Sequence, residues 1–136
     1  MRATGMNEHL ARLRAMRGPD VVDAAYRGIY AAASMVATEA RHSITAGSIS
    51  GKGHIPSKPG EPPNADTHHL DTGIFIEGDK AALNVKVVSS APHGLDLEFG
   101  TSKMAERPYM RQASLKVGHK AVQFIAKYIS QIVRKR

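Results

Sequence analysis

The sequence predicts an α+β domain in which a small antiparallel β-sheet packs against two long helices, with an extended proline- and glycine-rich arm between them. Three observations predict this class. Apolar residues recur at three- and four-residue steps near both ends, apolar and polar residues alternate over residues 83–87, and prolines and glycines crowd residues 46–70. The 136 residues suffice for one hydrophobic core, so residues 1–136 are expected to form a single domain.

Three helices are expected. A short amphipathic helix over Asn7–Met16 ends at the break made by Gly18 and Pro19, and a long helix follows over Val21–Thr45, with Asp20 as its N-cap. The alanines of this second helix would allow another element to approach closely. The last helix is expected from near Pro108 to about Val133, and its apolar side is formed by Val117, Ala121, Phe124, Ile125, Tyr128, Ile129 and Ile132.

Residues 46–70 are expected to form a mobile arm. Prolines lack an amide donor and glycines are costly to order, so no regular element can persist there. A segment of this length inside a compact domain indicates function or disorder, and in an assembly it could lie on a neighbouring subunit. The arm residues expected at such an interface are Ile55, Pro56, Lys58, Pro59, Glu61, Pro62 and Pro63.

A β-hairpin is expected after the arm. Ile74–Ile76 contains strand-forming residues, Gly78 and Asp79 can form a tight turn, and the alternation over Leu83–Val87 predicts the returning strand. Leu95, Leu97 and Phe99 alternate with acidic residues. This pattern fits either a third strand or a short irregular helix.

The positive charge is concentrated at one end of the chain. From Thr101 onward there are nine lysines or arginines and one glutamate, whereas residues 1–100 contain ten cations and eleven anions. Two explanations fit this distribution equally well. The cations could form a solvated helix face, or they could contact DNA or an acidic partner. The cations considered for such contact are Lys116, Lys120, Lys127, Arg134, Lys135 and Arg136.

Several classes of function have little support in the sequence. Cysteine is absent, no apolar run approaches the roughly 20 residues that span a bilayer, and the first residues do not resemble a signal peptide, so an intracellular product without membrane contact is expected. His68 and His69 lie in the expected arm without a rigid scaffold for zinc. No nucleophile elbow or phosphate-binding loop is found, so we predict neither catalysis, nor a metal, nor a cofactor.

Two short motifs are similar to those of a known family. The chain contains Leu97-Glu98-Phe99-Gly100-Thr101 and then Arg107-Pro108-Tyr109-Met110, followed by Ala113. Together with Pro59–Pro63 and Leu70–Ile74, these segments resemble the tail-completion family of long-tailed bacteriophages, which comprises minor tail and head–tail joining proteins. The resemblance covers roughly residues 7–130.

The resemblance implies a structural protein of the virion, assembled in the host cytoplasm. It would form a ring, expected to be a hexamer, that completes or terminates the tail and joins it to the head. Its partners would be copies of itself, the head connector or stopper, and the tail tube proteins. Genome DNA would pass through such a ring, where the basic residues could meet it.

The motif residues also have a physical interpretation. Gly100 allows a sharp turn after Phe99, and Pro108 suits the first turn of a helix. We expect Glu98 to pair with Arg107 and so fix this turn, and we expect Phe99 and Tyr109 to be core anchors. The alternative function is a small basic DNA-binding protein that uses its C-terminal helix, although no helix-turn-helix spacing is visible.

Overall fold

The structure is a computed structural model that describes residues 5–49 and 51–134. Its two strands, β1 (Ile74–Asp79) and β2 (Asn84–Ser89), form one antiparallel sheet. The sheet packs against a long helix, which in turn packs against a second long helix, so the predicted α+β class is confirmed. The helices are α1 (Met6–Ala15), α2 (Pro19–Thr45), α3 (His69–Thr72), α4 (Gly94–Phe99) and α5 (Met110–Arg134).

Helices α2 and α5 form the main body, and they approach each other closely. The buried positions of α2 are occupied mostly by alanine, from Ala24 to Ala40. Gly28 lies where the two helices are closest, since a Cβ atom built there would be 3.2 Å from the Cβ of Tyr128 and 3.3 Å from the Cα of Ile125. Small side chains on one helix therefore set the spacing of the pair, as the alanine content predicted.

The starts of the two long helices differ from the expected positions. Helix α2 begins at Pro19 with Gly18 as N-cap, so the prediction that Asp20 is the N-cap is wrong. Proline suits the first helical position because its missing amide would have no partner there. Asp20 instead lies in the first turn, where a carboxylate is favoured by the helix dipole. Helix α5 begins at Met110, two residues after the buried Pro108.

The hairpin forms, but its turn lies beyond the expected position. Gly78 pairs with Val85 and Asp79 pairs with Asn84, so both belong to β1. The Oδ1 atom of Asp79 accepts hydrogen bonds from the amides of Ala81 and Ala82, at 3.0 and 3.2 Å. This carboxylate closes a longer loop, which explains why the chain does not turn at Gly78-Asp79.

The core is small and lies near the C-terminal end of α2. Its largest fully buried side chains are those of Ile44, Ile74 and Tyr109. Alanines and Leu70 complete the cluster, whose members are Ala37, Ala40, Ile44, Ala65, Leu70, Ile74, Tyr109 and Ala113. In the part of the chain that is described, no helix is long and apolar enough to cross a bilayer.

The prediction that residues 46–70 form a mobile arm is wrong, because the segment is bonded to its own domain. The amide of Ala65 donates to the carbonyl of Ile44 at 2.9 Å, and the amide of Gly60 donates to the carbonyl of Glu106 at 2.9 Å. Ser57, Pro63 and Ala65 are buried. These amides of the segment donate to carbonyls of the main domain. The segment is therefore ordered, although the described residues between α2 and α3 form no regular element beyond a 3₁₀ turn at Gly51–Gly53.

The outer surface of this segment remains exposed. Among the residues expected at an interface, Pro63 is buried and Pro62 is half-buried. Ile55 has 65% of its surface exposed. The remaining expected residues, Pro56, Lys58, Pro59 and Glu61, are also exposed.

The close approach at Gly28 gives a test of the helix pair. We expect Gly28→Val to lower the free energy of unfolding by about 1–3 kcal/mol, because the added methyl groups would press on the α5 backbone. Gly118→Ala is the matched control: nothing lies within 4 Å of the added Cβ, so it should raise stability by about 0.4–1 kcal/mol. Urea unfolding measures both. Equal stability of Gly28→Val and the parent chain would contradict the observed spacing.

Candidate functional site at the start of helix α5

In helix α4 two large apolar side chains are exposed and a glutamate is buried. Leu95 and Phe99 lie one helical turn apart with 70% and 61% of their surfaces exposed, whereas Glu98 has only 6% exposed. The alternation over residues 95–99 therefore belongs to a short helix, which was one of the two expected structures, and Phe99 is not a core anchor. A buried carboxylate requires hydrogen-bond donors or a cation nearby, and the residues that supply them to Glu98 define the candidate site.

The carboxylate of Glu98 binds the first amides of α5. Its Oε2 atom accepts hydrogen bonds from the amides of Tyr109 and Met110, at 2.9 and 3.0 Å, and Oε1 accepts one from the amide of Arg111 at 3.0 Å. These amides have no partner within the helix, and the helix dipole favours a negative charge at this end. Glu98 thus caps α5 from a separate helix.

The cation that pairs with Glu98 is Arg111, so the expected pair with Arg107 is wrong. The Nε atom of Arg111 lies 3.0 Å from Oε1 of Glu98, and its Nη2 atom donates to the Glu98 carbonyl at 2.7 Å and to Glu106 at 2.9 Å. The guanidinium also lies over the Phe99 ring, 5.2 Å from its centre. Arg111 is inside the first turn of α5, where its side chain can reach back to α4.

Arg107 has a different task. Its amide donates to the carbonyl of Leu97 at 2.6 Å, and its Nε atom donates to the carbonyl of Ser57 at 3.2 Å. The side chain of Gln112 donates to the carbonyl of Gly60 at 2.8 Å. The segment that leads into α5 therefore holds the folded-back segment in place, and the structure brings the predicted motif and arm residues together.

The environment of Glu98 fixes its charge. Burial raises the pKa of this carboxyl, but the three amides and Arg111 outweigh that effect, so the pKa lies below its usual value of 4.5. Glu98 is ionised at neutral pH and both of its oxygens are engaged. Such a group is suited to stabilising a helix start rather than to transferring protons.

Gly100 is required where α4 ends, as predicted. Its φ angle is +74°, and a Cβ atom there would lie 2.8 Å from the amide nitrogen of Glu106. The amide of Thr101 then donates to the carbonyl of Met104 at 2.8 Å, and the Thr101 hydroxyl accepts from the amide of Lys103 at 3.2 Å. The Gly-Thr pair therefore builds the turn that carries the chain back to Glu98.

Tyr109 is a core anchor, as predicted. Only 1% of its surface is exposed, and its hydroxyl donates to Oγ of Ser89 at 3.0 Å. Gly94 leaves room for it, since a Cβ atom there would be 2.7 Å from this hydroxyl. Burial raises the pKa of the Tyr109 phenol, which keeps the hydroxyl protonated as a donor. Tyr109 thereby ties the start of α5 to the end of β2.

A histidine-lined groove lies beside the site. Its volume is about 200 Å³, and its lining includes His54, His68, His69, His93 and Arg107. The Nδ1 atom of His68 lies 3.2 Å from Oδ2 of Asp71. Across residues 5–49 and 51–134, no three histidine or acidic side chains are arranged to hold a metal ion.

The predicted basic residues lie mainly on an exposed face of α5. Lys116 pairs with Glu39 of α2 at 2.7 Å. Lys120, Lys127 and Arg134 are exposed. Lys135 and Arg136 lie outside the described residues. Helix α5 contains no acidic residue, so this face, which we call the basic face (Lys116, Lys120, Lys127 and Arg134), has no opposing charge on its own helix.

The sequence analysis missed a second apolar side of α5. The predicted side is only partly correct, since Ala121 is buried and Val117, Ile125, Tyr128 and Ile132 are half-buried, whereas Phe124 is exposed. The additional side points to solvent, and Leu115 has 84% of its surface exposed. Its signal was the seven-residue spacing of Leu115 and Val122. Ile129, the next residue at that spacing, belongs to the predicted side and is half-buried.

Comparisons with known proteins give no match for this chain, whether with protein-family models, curated proteins or solved structures.

The contacts of Glu98 predict a specific loss of stability. We expect Glu98→Ala to lower the free energy of unfolding by about 2–3 kcal/mol, because three amides lose their acceptor at a partly buried helix start. Glu106→Ala is the matched control, since it removes the exposed partner of the same arginine and should change stability by no more than about 0.5 kcal/mol. Chemical denaturation measures both variants. Equal losses would show that Glu98 contributes only a surface ion pair.

Proposed function

We propose that this chain is a structural subunit of the neck or upper tail of a long-tailed bacteriophage particle, where copies form a ring that completes the tail and joins it to the head. The observation that carries the proposal is the amount of apolar surface left uncovered. Met6, Leu10 and Leu13 of α1, and Leu115 and Val122 of α5, have between 41% and 84% of their surfaces exposed. Apolar side chains on two separate helices favour assembly.

The α4–α5 junction supports the same proposal through its composition. The residues that resemble the tail-completion motif are Glu98, Gly100, Arg107 and Tyr109, and each has a structural contact at the start of α5. A charged, fully bonded Glu98 leaves no free acid or base at the motif. A rigid scaffold that presents one long helix is what a ring subunit needs.

A ring would supply the partners that the resemblance implies. A closed ring requires two different surfaces on each copy, one that donates and one that receives the next copy. The head connector or stopper would lie on one side of this ring and the tail tube on the other. The basic face of α5 would then meet either the genome DNA in the channel or an acidic surface of a partner ring.

A second candidate function is DNA binding by the free chain. It is favoured by the basic face of α5, where Lys120, Lys127 and Arg134 are exposed on a helix without acidic residues. Phosphate contacts of this kind weaken steeply as salt rises, because binding releases counterions. Binding would then be the main event and assembly would depend on DNA.

The oligomeric state in the absence of DNA separates these functions. We expect the purified chain, freed of nucleic acid, to give a discrete multiple of 14.7 kDa in size-exclusion chromatography with light scattering, and closed rings in negative-stain micrographs. Apolar contacts should keep this mass unchanged as salt rises. A monomer at all concentrations, or a mass that increases only when duplex DNA is added, would contradict the ring and favour the second candidate.

A further inference from the structure

Helix α5 has an apolar stripe that the described part of its own chain leaves largely exposed. The stripe consists of Leu115, Val122, Ala126, Ile129 and Val133, which recur at seven-, four- and three-residue steps. Leu115, Val122 and Val133 have 84%, 64% and 36% of their surfaces exposed. At about 100° per residue, the stripe lies roughly a quarter turn from the side of α5 that packs on α2. Its exposed members therefore form a separate surface, and the half-buried Ile129 lies at the edge of the stripe nearest to that packed side.

Neither the stripe nor the exposed flank beside it contains a lysine, an arginine or an acidic residue. The next residues around the helix on that flank are His119, Gln123 and Ser130, and the side chain of Gln123 contacts His119 at 3.2 Å. Beyond this flank, the lysines of the basic face lie about a third of a turn from the stripe. A second protein surface can therefore cover the stripe without burying a lysine, whereas a polyanion would bind the basic face instead.

The side of α1 that faces α5 carries small and charged residues. Glu8, Ala11, Arg12 and Ala15 line a groove shared with Val133 at the end of α5. The large α1 residues Met6, Leu10 and Leu13 point away, with 55%, 41% and 45% of their surfaces exposed, and no residue of α1 is buried. A helix of 10 residues is too short to be stable on its own, so its apolar face needs a partner.

We propose that the apolar face of α1 in one copy packs on the apolar stripe of α5 in the next copy. The large residues of α1 lie on the side opposite the groove that it shares with its own α5, so a different copy can reach them. The 10 residues of α1 give a length of about 15 Å, which fits within the roughly 27 Å that the stripe spans. The inference rests on the proposed ring and identifies the two different surfaces that a ring requires.

Cysteine cross-linking tests this contact directly, because the chain contains no cysteine. The variant Leu10→Cys/Val122→Cys places one thiol on each proposed surface, at positions that are 41% and 64% exposed, so the fold should tolerate both. The matched control is Leu10→Cys/Lys120→Cys, whose second thiol lies on the basic face of the same helix. The single variants Leu10→Cys and Val122→Cys complete the set, and thermal unfolding of the reduced proteins checks their folding.

We expect mild oxidation to convert most of the Leu10→Cys/Val122→Cys chains into a ladder that ends at the size of the ring. The control pair should remain largely monomeric on denaturing gels. Dimers from Val122→Cys alone, or no ladder from the double variant, would overturn the proposed contact. Rings in micrographs without a ladder would reject this contact and leave the proposed function standing, whereas a ladder without closed rings would support the contact and count against that function.

Discussion

The carboxylate of Glu98 is the interaction on which the arrangement of this fold depends. It accepts hydrogen bonds from the amides of Tyr109, Met110 and Arg111, so one side chain of α4 determines where α5 starts. Because Tyr109 bonds to Ser89, the same contact also fixes α5 relative to the end of β2. A charged group can remain buried there because the helix dipole, three donors and Arg111 compensate for the lost water.

The folded-back segment depends on the same junction. Arg107 and Gln112 bind the carbonyls of Ser57 and Gly60, and Ala65 bonds to the end of α2. These contacts order a proline-rich segment whose described residues between α2 and α3 form no helix or strand beyond a single 3₁₀ turn at Gly51–Gly53. The assembly that we propose therefore uses helix surfaces and not this segment as a free arm.

The exposed apolar residues follow from how the core is built. The α2–α5 contact uses alanines and Gly28, so a close pair of helices buries little large apolar area. The larger side chains of α1 and α5 are left on outer faces, as Leu10 and Leu115 illustrate. The assembly that we propose would cover these exposed side chains.

Much of the fold could be predicted from local patterns. Periodicity located both long helices, alternation located β2, and the need for positive φ identified Gly100. Phe99 failed as a core anchor because α4 turns it outward. The prediction of a turn at Gly78-Asp79 was wrong because the Asp79 side chain bonds to the loop that follows β1.

The remaining differences depend on contacts between distant residues. Glu98 was expected to bind Arg107, but which arginine reaches it depends on where α5 begins. The hydrogen bonds to Glu98 and the packing of Tyr109 together fix that point. Composition predicted a free arm over residues 46–70. Composition cannot register the hydrogen bonds that the carbonyls of Ser57 and Gly60 accept from a segment some 50 residues away.

The pH dependence of stability tests the central role of Glu98 most directly. Because the pKa of Glu98 is lowered in the folded state, its contribution is complete above the unfolded value of about 4.5 and is lost as pH falls through the lower folded value. Urea unfolding of the parent chain and of Glu98→Gln should therefore give a stability difference that is largest near neutral pH and shrinks as pH falls below about 4.5. A difference that stays constant between neutral and acidic pH would contradict the account.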